Sequence, residues 1–245
     1  MKNTAIIIPT RLGAKRFPNK PLAKINNLPM IIHVLNRAIE SKVGEVYVAT
    51  PDKEIFELVK KNGGEPILTK YEHLSGSDRV HEAYLKKIKN KADVIINLQG
   101  DMPNIKPDSI LKLDKFMRSN RCDIGTLACE MNNNNEIFDP NIVKVSLDHV
   151  LENNSFLKAK DFFRSKKDLN SKKIYHHCGI YSFTEEALAR YVKLPRSQLE
   201  KERNLEQMRA LENGMIIKVG KTNSMPLSVD TENDLKKISE EMKKI

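Results

Sequence analysis

Tryptophan is absent from this chain, and aromatic residues make up only 6 % of it. No RNP-like aromatic motif, zinc-finger spacing or heptad repeat is present, so dedicated nucleic-acid modules and coiled coils are excluded. Mean hydropathy is −0.49 and no run approaches the ~20 apolar residues of a membrane helix. The three cysteines, Cys122, Cys129 and Cys178, form no CxxC pair and cannot all be bridged. Reduced thiols in a cytosolic protein are the simplest reading. The first strand begins almost at once after Met1, so no targeting segment is expected and the location expected is cytoplasmic. Neither GxxxxGK[ST] nor GxGxxG occurs, which removes the Walker and dinucleotide fingerprints. There is no internal repeat and no linker.

What is present is charge, with a formal net of +10. Much of the lysine excess falls on helix faces and in the tail, as at Lys86-Lys87, Lys236-Lys237 and Lys243-Lys244. That distribution leaves polyanion binding a non-specific property and predicts no specific nucleic-acid partner. The informative cations lie elsewhere. An apolar run, Ile6 to Ile8, stops at Pro9, and Arg11, Lys15, Arg16 and Lys20 follow around Gly13. Four cations on one loop at a strand end need an anion to offset their repulsion, and a triphosphate fits.

Periodicity alternates between strand and helix. Strands are predicted at 4–9, 45–50, 66–69 and 93–98, and helices at 30–41, 52–62, 77–89 and 107–119, with Ser77 capping the third helix. This order implies an α/β fold, a mostly parallel Rossmann-like sheet with helices on both faces. The second half reads as strands at 124–130, 142–147, 174–183 and 216–219. Its helices are predicted at 185–192, 205–213 and 232–244, the last capped by Thr231. Residues 132–135 form a polar loop, and 152–173 is lysine-rich and poorly periodic. One domain over 1–245 is expected, with an inserted lobe at roughly 132–205.

Four motifs carry chemistry. Asn97-Leu98-Gln99-Gly100-Asp101 ends a buried strand, where open α/β sheets bind ligands. Gly100 allows close approach, Gln99 can read a base or ribose, and Asp101 can hold Mg²⁺ or simply serve a turn. Val229-Asp230-Thr231 precedes the last helix, so Asp230 can share in the cap or in a metal site. His73-Leu74-Ser75-Gly76-Ser77-Asp78-Arg79 puts small residues before a helix start, a pocket for a base or anion around Ser75, Gly76 and Arg79. The fourth motif is split between His176-His177-Cys178-Gly179-Ile180-Tyr181 and Leu205-Glu206-Gln207-Met208-Arg209-Ala210-Leu211-Glu212. On one helix Glu206 and Arg209 would share a face. Cys178 has no spaced partner for zinc.

Together these residues resemble a known family. Pro9-x-Arg11-x₄-Arg16-x-Pro18-x-Lys20-x-Leu22 is similar to the opening loop of nucleotide-sugar pyrophosphorylases and CMP-sugar synthetases. Residues 73–79 match H-x-S-G-T-[DE]-R with Ser77 for Thr, 177–181 match H-x-G-[IV]-Y, and 205–212 match L-E-Q-[LM]-R-A-L-E. In order, from Ile6 to Leu235, they resemble the 3-deoxy-manno-octulosonate (Kdo) cytidylyltransferases. The resemblance implies Mg²⁺-dependent transfer of CMP from CTP to Kdo in lipopolysaccharide synthesis, by a homodimer that does not enter the membrane. It implies a metal on Asp101 and Asp230, and Arg11, Arg16 and Lys20 on the triphosphate. The sugar would meet His177, Tyr181, Glu206 and Gln207. Three departures stand out: Met102 replaces a glutamate after QGD, Asn19 replaces the glycine of P-G-K, and Lys158 falls where the family has a sugar-acid arginine. Lysine keeps the charge but loses the bidentate fork. Transfer to another acidic sugar, or a binding protein that has lost catalysis, remain open alternatives.

Overall fold

The computed structural model describes residues 3–13, 17–131, 134–165 and 173–243. The chain divides into two compact units, Met1–Leu111 with Pro226–Ile245, and Lys112–Met225.

In the first unit, β1 (Asn3–Pro9) leads through a 3-10 turn at Lys20–Leu22 to a minimal hairpin, β2 (Lys24–Ile25) and β3 (Leu28–Pro29). Then come α1 (Met30–Glu40), β4 (Gly44–Thr50), α2 (Lys53–Lys61), β5 (Glu65–Leu68), α3 (Gly76–Ala83) and β6 (Ala92–Asn97). The strands lie in the order β5-β4-β1-β6, all parallel. Ile6, Ile7 and Ile8 are fully buried, as a strand covered on both faces requires. Because the strands are parallel, the carboxyl ends of β1, β4 and β6 share one edge of the sheet. The third helix differs from the expected 77–89. Ser75, not Ser77, accepts from the Asp78 N–H, and the Ser75 N–H in turn donates to the Asp78 carboxylate in a capping box. Ser77 is buried in the first turn, where its hydroxyl accepts from Asn97. Beyond Ala83 the helix widens to a π-turn over Tyr84–Ile88.

The boundary between units falls within α4 (Pro107–Ser119). The second unit contains β7 (Ile124–Cys129), β8 (Lys144–Leu147), β9 (Phe156–Lys158), β10 (Asp161–Phe163) and β11 (Lys173–Thr184). They are followed by α5 (Glu185–Tyr191), α6 (Gln198–Arg203), α7 (Met208–Glu212) and β12 (Ile217–Lys221). Strands run β11-β7-β12-β9, with β8 also on β11 and β10 on β8. Only the β7–β12 pairing among these is parallel. The poorly periodic segment thus supplies two three-residue strands, too short for an alternating pattern to register. The helix expected at 205–213 is shorter, and α6, unforeseen, precedes it. Asn204 in the left-handed region (φ 51°) separates the two.

One face of this second sheet is set by Gly220. A Cβ there would lie 2.3 Å from the Phe116 ring, so the missing side chain admits α4. Phe116 then stacks on Phe156 with centroids 4.9 Å apart. The chain finally returns to the first unit and ends in α8 (Glu232–Glu241), capped by Thr231 and Asp234 as a reciprocal box. Val229 and Ile238 join Ile25 and Met30 in a buried cluster there.

Gly220→Ala is expected to destabilise the second unit by about 1–3 kcal/mol through overpacking against Phe116, read as a lower urea midpoint at unchanged slope.

Candidate active site

The basic loop leaves β1 at the sheet edge and is pinned from its neighbour. The Leu12 N–H donates to Asp52 Oδ2 at 2.8 Å. Asp52 stands at the N-cap of α2 yet makes no side-chain cap bond, its carboxylate being committed to the loop instead. The loop closes where the Asn19 N–H meets the Leu12 carbonyl at 3.2 Å. Asn19 has φ 56°, a conformation that glycine and asparagine tolerate, which accounts for its standing where the resembled loops carry glycine.

The next residue, Lys20, is aimed at two carboxylates. Its Nζ lies 3.0 Å from Asp101 Oδ2 and 3.3 Å from Asp230 Oδ1. Asp101 follows β6, whereas Asp230 sits far along the chain, just before α8. A backbone bond joins their segments, from the Val229 N–H to the Asp101 carbonyl at 3.0 Å. The cap of α8 falls to Thr231 and Asp234, which leaves the Asp230 carboxylate facing Lys20. Among the described residues no three acidic, histidine or cysteine side chains gather as a metal cage. Two carboxylates close enough to share one ammonium can also share one divalent cation. Mg²⁺ suits such a pair, because it takes its remaining ligands from water and substrate phosphates.

A cavity of about 250 Å³ opens beside this cluster, lined by Arg11, Lys20, Ser75, Gly76, Arg79, Gln99, Gly100 and Asp101 among others. Gly100 sits close to its neighbours, a Cβ there coming to 3.1 Å from the Pro9 carbonyl oxygen. Gln99 Nε2 donates to Asn97 Oδ1 at 2.9 Å, which orients the amide at the wall. Arg79 is buried and donates to Thr69 Oγ1 and the Lys70 carbonyl, so it braces the wall as well as lining it. Burial lowers its pKa, and the nearby Arg11 charge adds to this. Arg11 is exposed at the rim. Arg16 lies outside the described residues.

The second unit gathers a different group. His177 and Tyr181 lie on β11, with ring centroids 5.5 Å apart. Burial raises the Tyr181 phenol pKa, and the Glu206 carboxylate raises it further. Glu206 Oε1 is buried without a hydrogen-bond partner among the described residues. The turn bearing Glu206 and Gln207 is held from below. Arg209 does not pair with Glu206, as one continuous helix would have it. Its Nε and Nη2 reach Glu200 Oε2 and Oε1, both at 2.8 Å, in a buried bidentate pair. Tyr191 OH donates to the Glu206 carbonyl at 2.8 Å.

Lys158 is not part of this group. Its register partner is Lys218, and Gly220 pairs with Phe156, so Lys158 stands on the α4 face of the sheet. His177 pairs with Ala128 and Tyr181 with Thr126, and these positions belong to the opposite face. The period of two along β12 and β7 settles the assignment. Sequence reasoning also missed Asp52, Thr126, Tyr191 and Glu200. Asp52 and Glu200 look like ordinary helix-terminus acids, and Thr126 is one polar residue in an apolar strand, so none carries a local signal.

The chain is an α/β nucleotidyltransferase by its parallel sheet, strand-edge basic loop and paired carboxylates. The cytidylyltransferase family model matches residues 5–219. The 3-deoxy-manno-octulosonate cytidylyltransferase of Brucella canis is 44 % identical over 233 residues, covering 95 % of this chain and 92 % of the relative. That of Rhodopseudomonas palustris is 44 % identical over 234 residues, covering 95 % and 94 %. A solved CMP:2-keto-3-deoxy-manno-octonic acid synthetase complexed with CTP superposes with a TM-score of 0.88 at 35 % identity, covering 99 % of both chains. A 4-diphosphocytidyl-2C-methyl-D-erythritol synthase from Anaerococcus prevotii shares the fold, with a TM-score of 0.64 at 12 % identity and 99 % of both chains covered. This chain belongs to the cytidylyltransferase family, in its 3-deoxy-manno-octulosonate branch.

His177 makes the second unit acid-sensitive. Burial, with a smaller contribution from the neighbouring His176, lowers its pKa from the usual 6.5 to about 3. Between those values the unfolded chain binds the proton and the folded chain does not, so the contribution is complete above pH 6.5 and is lost as pH falls toward 3. Relative to the wild type, His177→Gln should flatten the stability profile in that window by up to about 1.4 kcal/mol per pH unit, measured by urea unfolding across pH.

Proposed function

We propose that this protein transfers CMP from CTP to the anomeric hydroxyl of Kdo, releasing pyrophosphate, with Mg²⁺ held by Asp101 and Asp230. The observation that carries the reading is the convergence of Lys20, Asp101 and Asp230 beside the basic-loop cavity. The two relatives at 44 % identity and the CTP-bound neighbour support the same nucleotide and sugar. Arg11, Arg16 and Lys20 neutralise the triphosphate. The Asp52 contact fixes the Leu12 backbone at the start of the loop, which lowers the ordering entropy lost there when CTP binds. Lys20 leaves the carboxylates for the phosphates and meets the charge that builds on departing pyrophosphate. Bound Mg²⁺ supplies Lewis-acid polarisation of the α-phosphate. Gln99, Ser75 and Gly76 form the wall that meets the base and ribose.

The sugar is read by His177, Tyr181, Glu206 and Gln207. The partnerless oxygen of Glu206 suits a sugar hydroxyl donor. Positioning and charge stabilisation account for most of the chemistry. The product would serve lipopolysaccharide synthesis from the cytoplasm, and the working form would be a homodimer.

Asp101→Asn and Asp230→Asn should each lower pyrophosphate release at limiting Mg²⁺ by at least about 10³-fold while circular dichroism stays unchanged. Near-wild-type turnover by both variants would remove the metal assignment. Lys158→Ala should leave the Michaelis constants for Kdo and CTP within about twofold of wild type, because its side chain stands on the α4 face. A tenfold rise for Kdo (about 1.4 kcal/mol) would return Lys158 to the sugar site.

A further inference from the structure

The strand carrying His177 is interrupted. Cys178 pairs with Leu127 on β7, but the next paired position, Thr126, faces Tyr181, so Gly179 and Ile180 bulge out of register. One side chain serves the bulge. Thr126 Oγ1 lies 2.7 Å from the Ile180 carbonyl, 3.1 Å from the Cys178 carbonyl and 2.9 Å from His177 Nε2. A hydroxyl has one proton. If it went to the imidazole, two carbonyl oxygens would face the Thr126 oxygen with no hydrogen between them. Given to the carbonyls, that proton leaves the hydroxyl oxygen as an acceptor, and His177 Nε2 must then be the donor.

We infer that Thr126 is a positioning residue that holds neutral His177 as the Nε2–H tautomer, so that Nδ1 is left as an acceptor for a sugar hydroxyl. Among the described residues His177 Nδ1 has no hydrogen-bond partner. Phe162 meets the His177 ring edge-on with centroids 5.0 Å apart and Tyr181 packs at 5.5 Å, which restrains its rotation. The depressed pKa agrees with a neutral ring that neither attracts the sugar carboxylate by charge nor acts as a base near neutrality. Recognition of the acid group thus falls to other residues, while His177 reads a hydroxyl. The bulge is what brings this about, because an unbroken ladder would pair the two carbonyls with β7 and release the Thr126 proton to the ring. The sugar role rests on the function proposed above. The tautomer rests on the Thr126 geometry alone.

The test separates the two. ¹⁵N spectra of histidine-labelled full-length protein, with the His177 signals assigned by their loss in His177→Gln, report which ring nitrogen carries the proton. Wild type and Thr126→Ser should give the Nε2–H pattern at pH 7. Isosteric Thr126→Val should shift the ring toward Nδ1–H and raise the Michaelis constant for Kdo by about tenfold, with that for CTP unchanged and kcat less affected. An Nδ1–H pattern in wild type overturns the assignment, as does an unchanged pattern in Thr126→Val. Should Thr126→Val fail to fold, the wild-type and Thr126→Ser spectra still decide. A Nε2–H pattern with Kdo constants unmoved in both Thr126→Val and His177→Gln would keep the tautomer and remove His177 from the sugar site.

Discussion

The candidate active site is assembled where the segment before α8 is tied down, and the backbone hydrogen bond from the Val229 N–H to the Asp101 carbonyl makes that tie beside the two carboxylates. Packing of Val229 and Ile238 with Ile25 and Met30 holds the same segment. There Asp101 and Asp230 come close enough to share Lys20, and the charges constrain one another. Two carboxylates side by side repel, and an ammonium between them offsets this in the absence of a metal. The same ammonium is the charge a triphosphate needs. The ammonium offsets part of the paired negative charge, and the cluster keeps a net negative charge.

The second unit solves a different problem, presenting neutral or partnerless polar groups from a covered surface. Its two devices are both local. The Glu200–Arg209 pair and Tyr191 brace the turn that carries Glu206 and Gln207. Thr126 fills the bulge that carries His177. Removing Glu200 would strand the buried Arg209 charge, whereas Glu200 also pairs with Arg196, so the glutamate is the centre of this support.

Much of the first unit was legible. Long apolar strands and amphipathic helices give strong periodic signals, and β1, β4, β6, α1 and α4 fall where the pattern puts them. Lys20, Asp101 and Asp230 could be proposed as one site because the family resemblance groups them, although only Asp101 follows a strand end directly and Asp230 lies just before α8. What escaped was set by tertiary register. Ser75 and Ser77 compete for one cap, and burial of Ser77 against Asn97 decides it. Lys158 aligns with an arginine motif in sequence, but a three-residue strand has no pattern to say which face it presents. Asp52 reads as a helix cap until the loop that takes its carboxylate is seen. Asn19 looked like a departure and is instead a conformational equivalent of glycine.

The first unit is discontinuous in the chain, and this bears on its assembly during synthesis. Ile25 and Met30 leave the ribosome long before Val229 and Ile238, with which they form one apolar cluster. The second unit is contiguous and can close while the chain is still growing. The first unit cannot: until the last segment arrives, Ile25 and Met30 lack the cover of Val229 and Ile238, and Lys20 lacks Asp230. Its completion therefore waits on a segment made after the whole of the second unit.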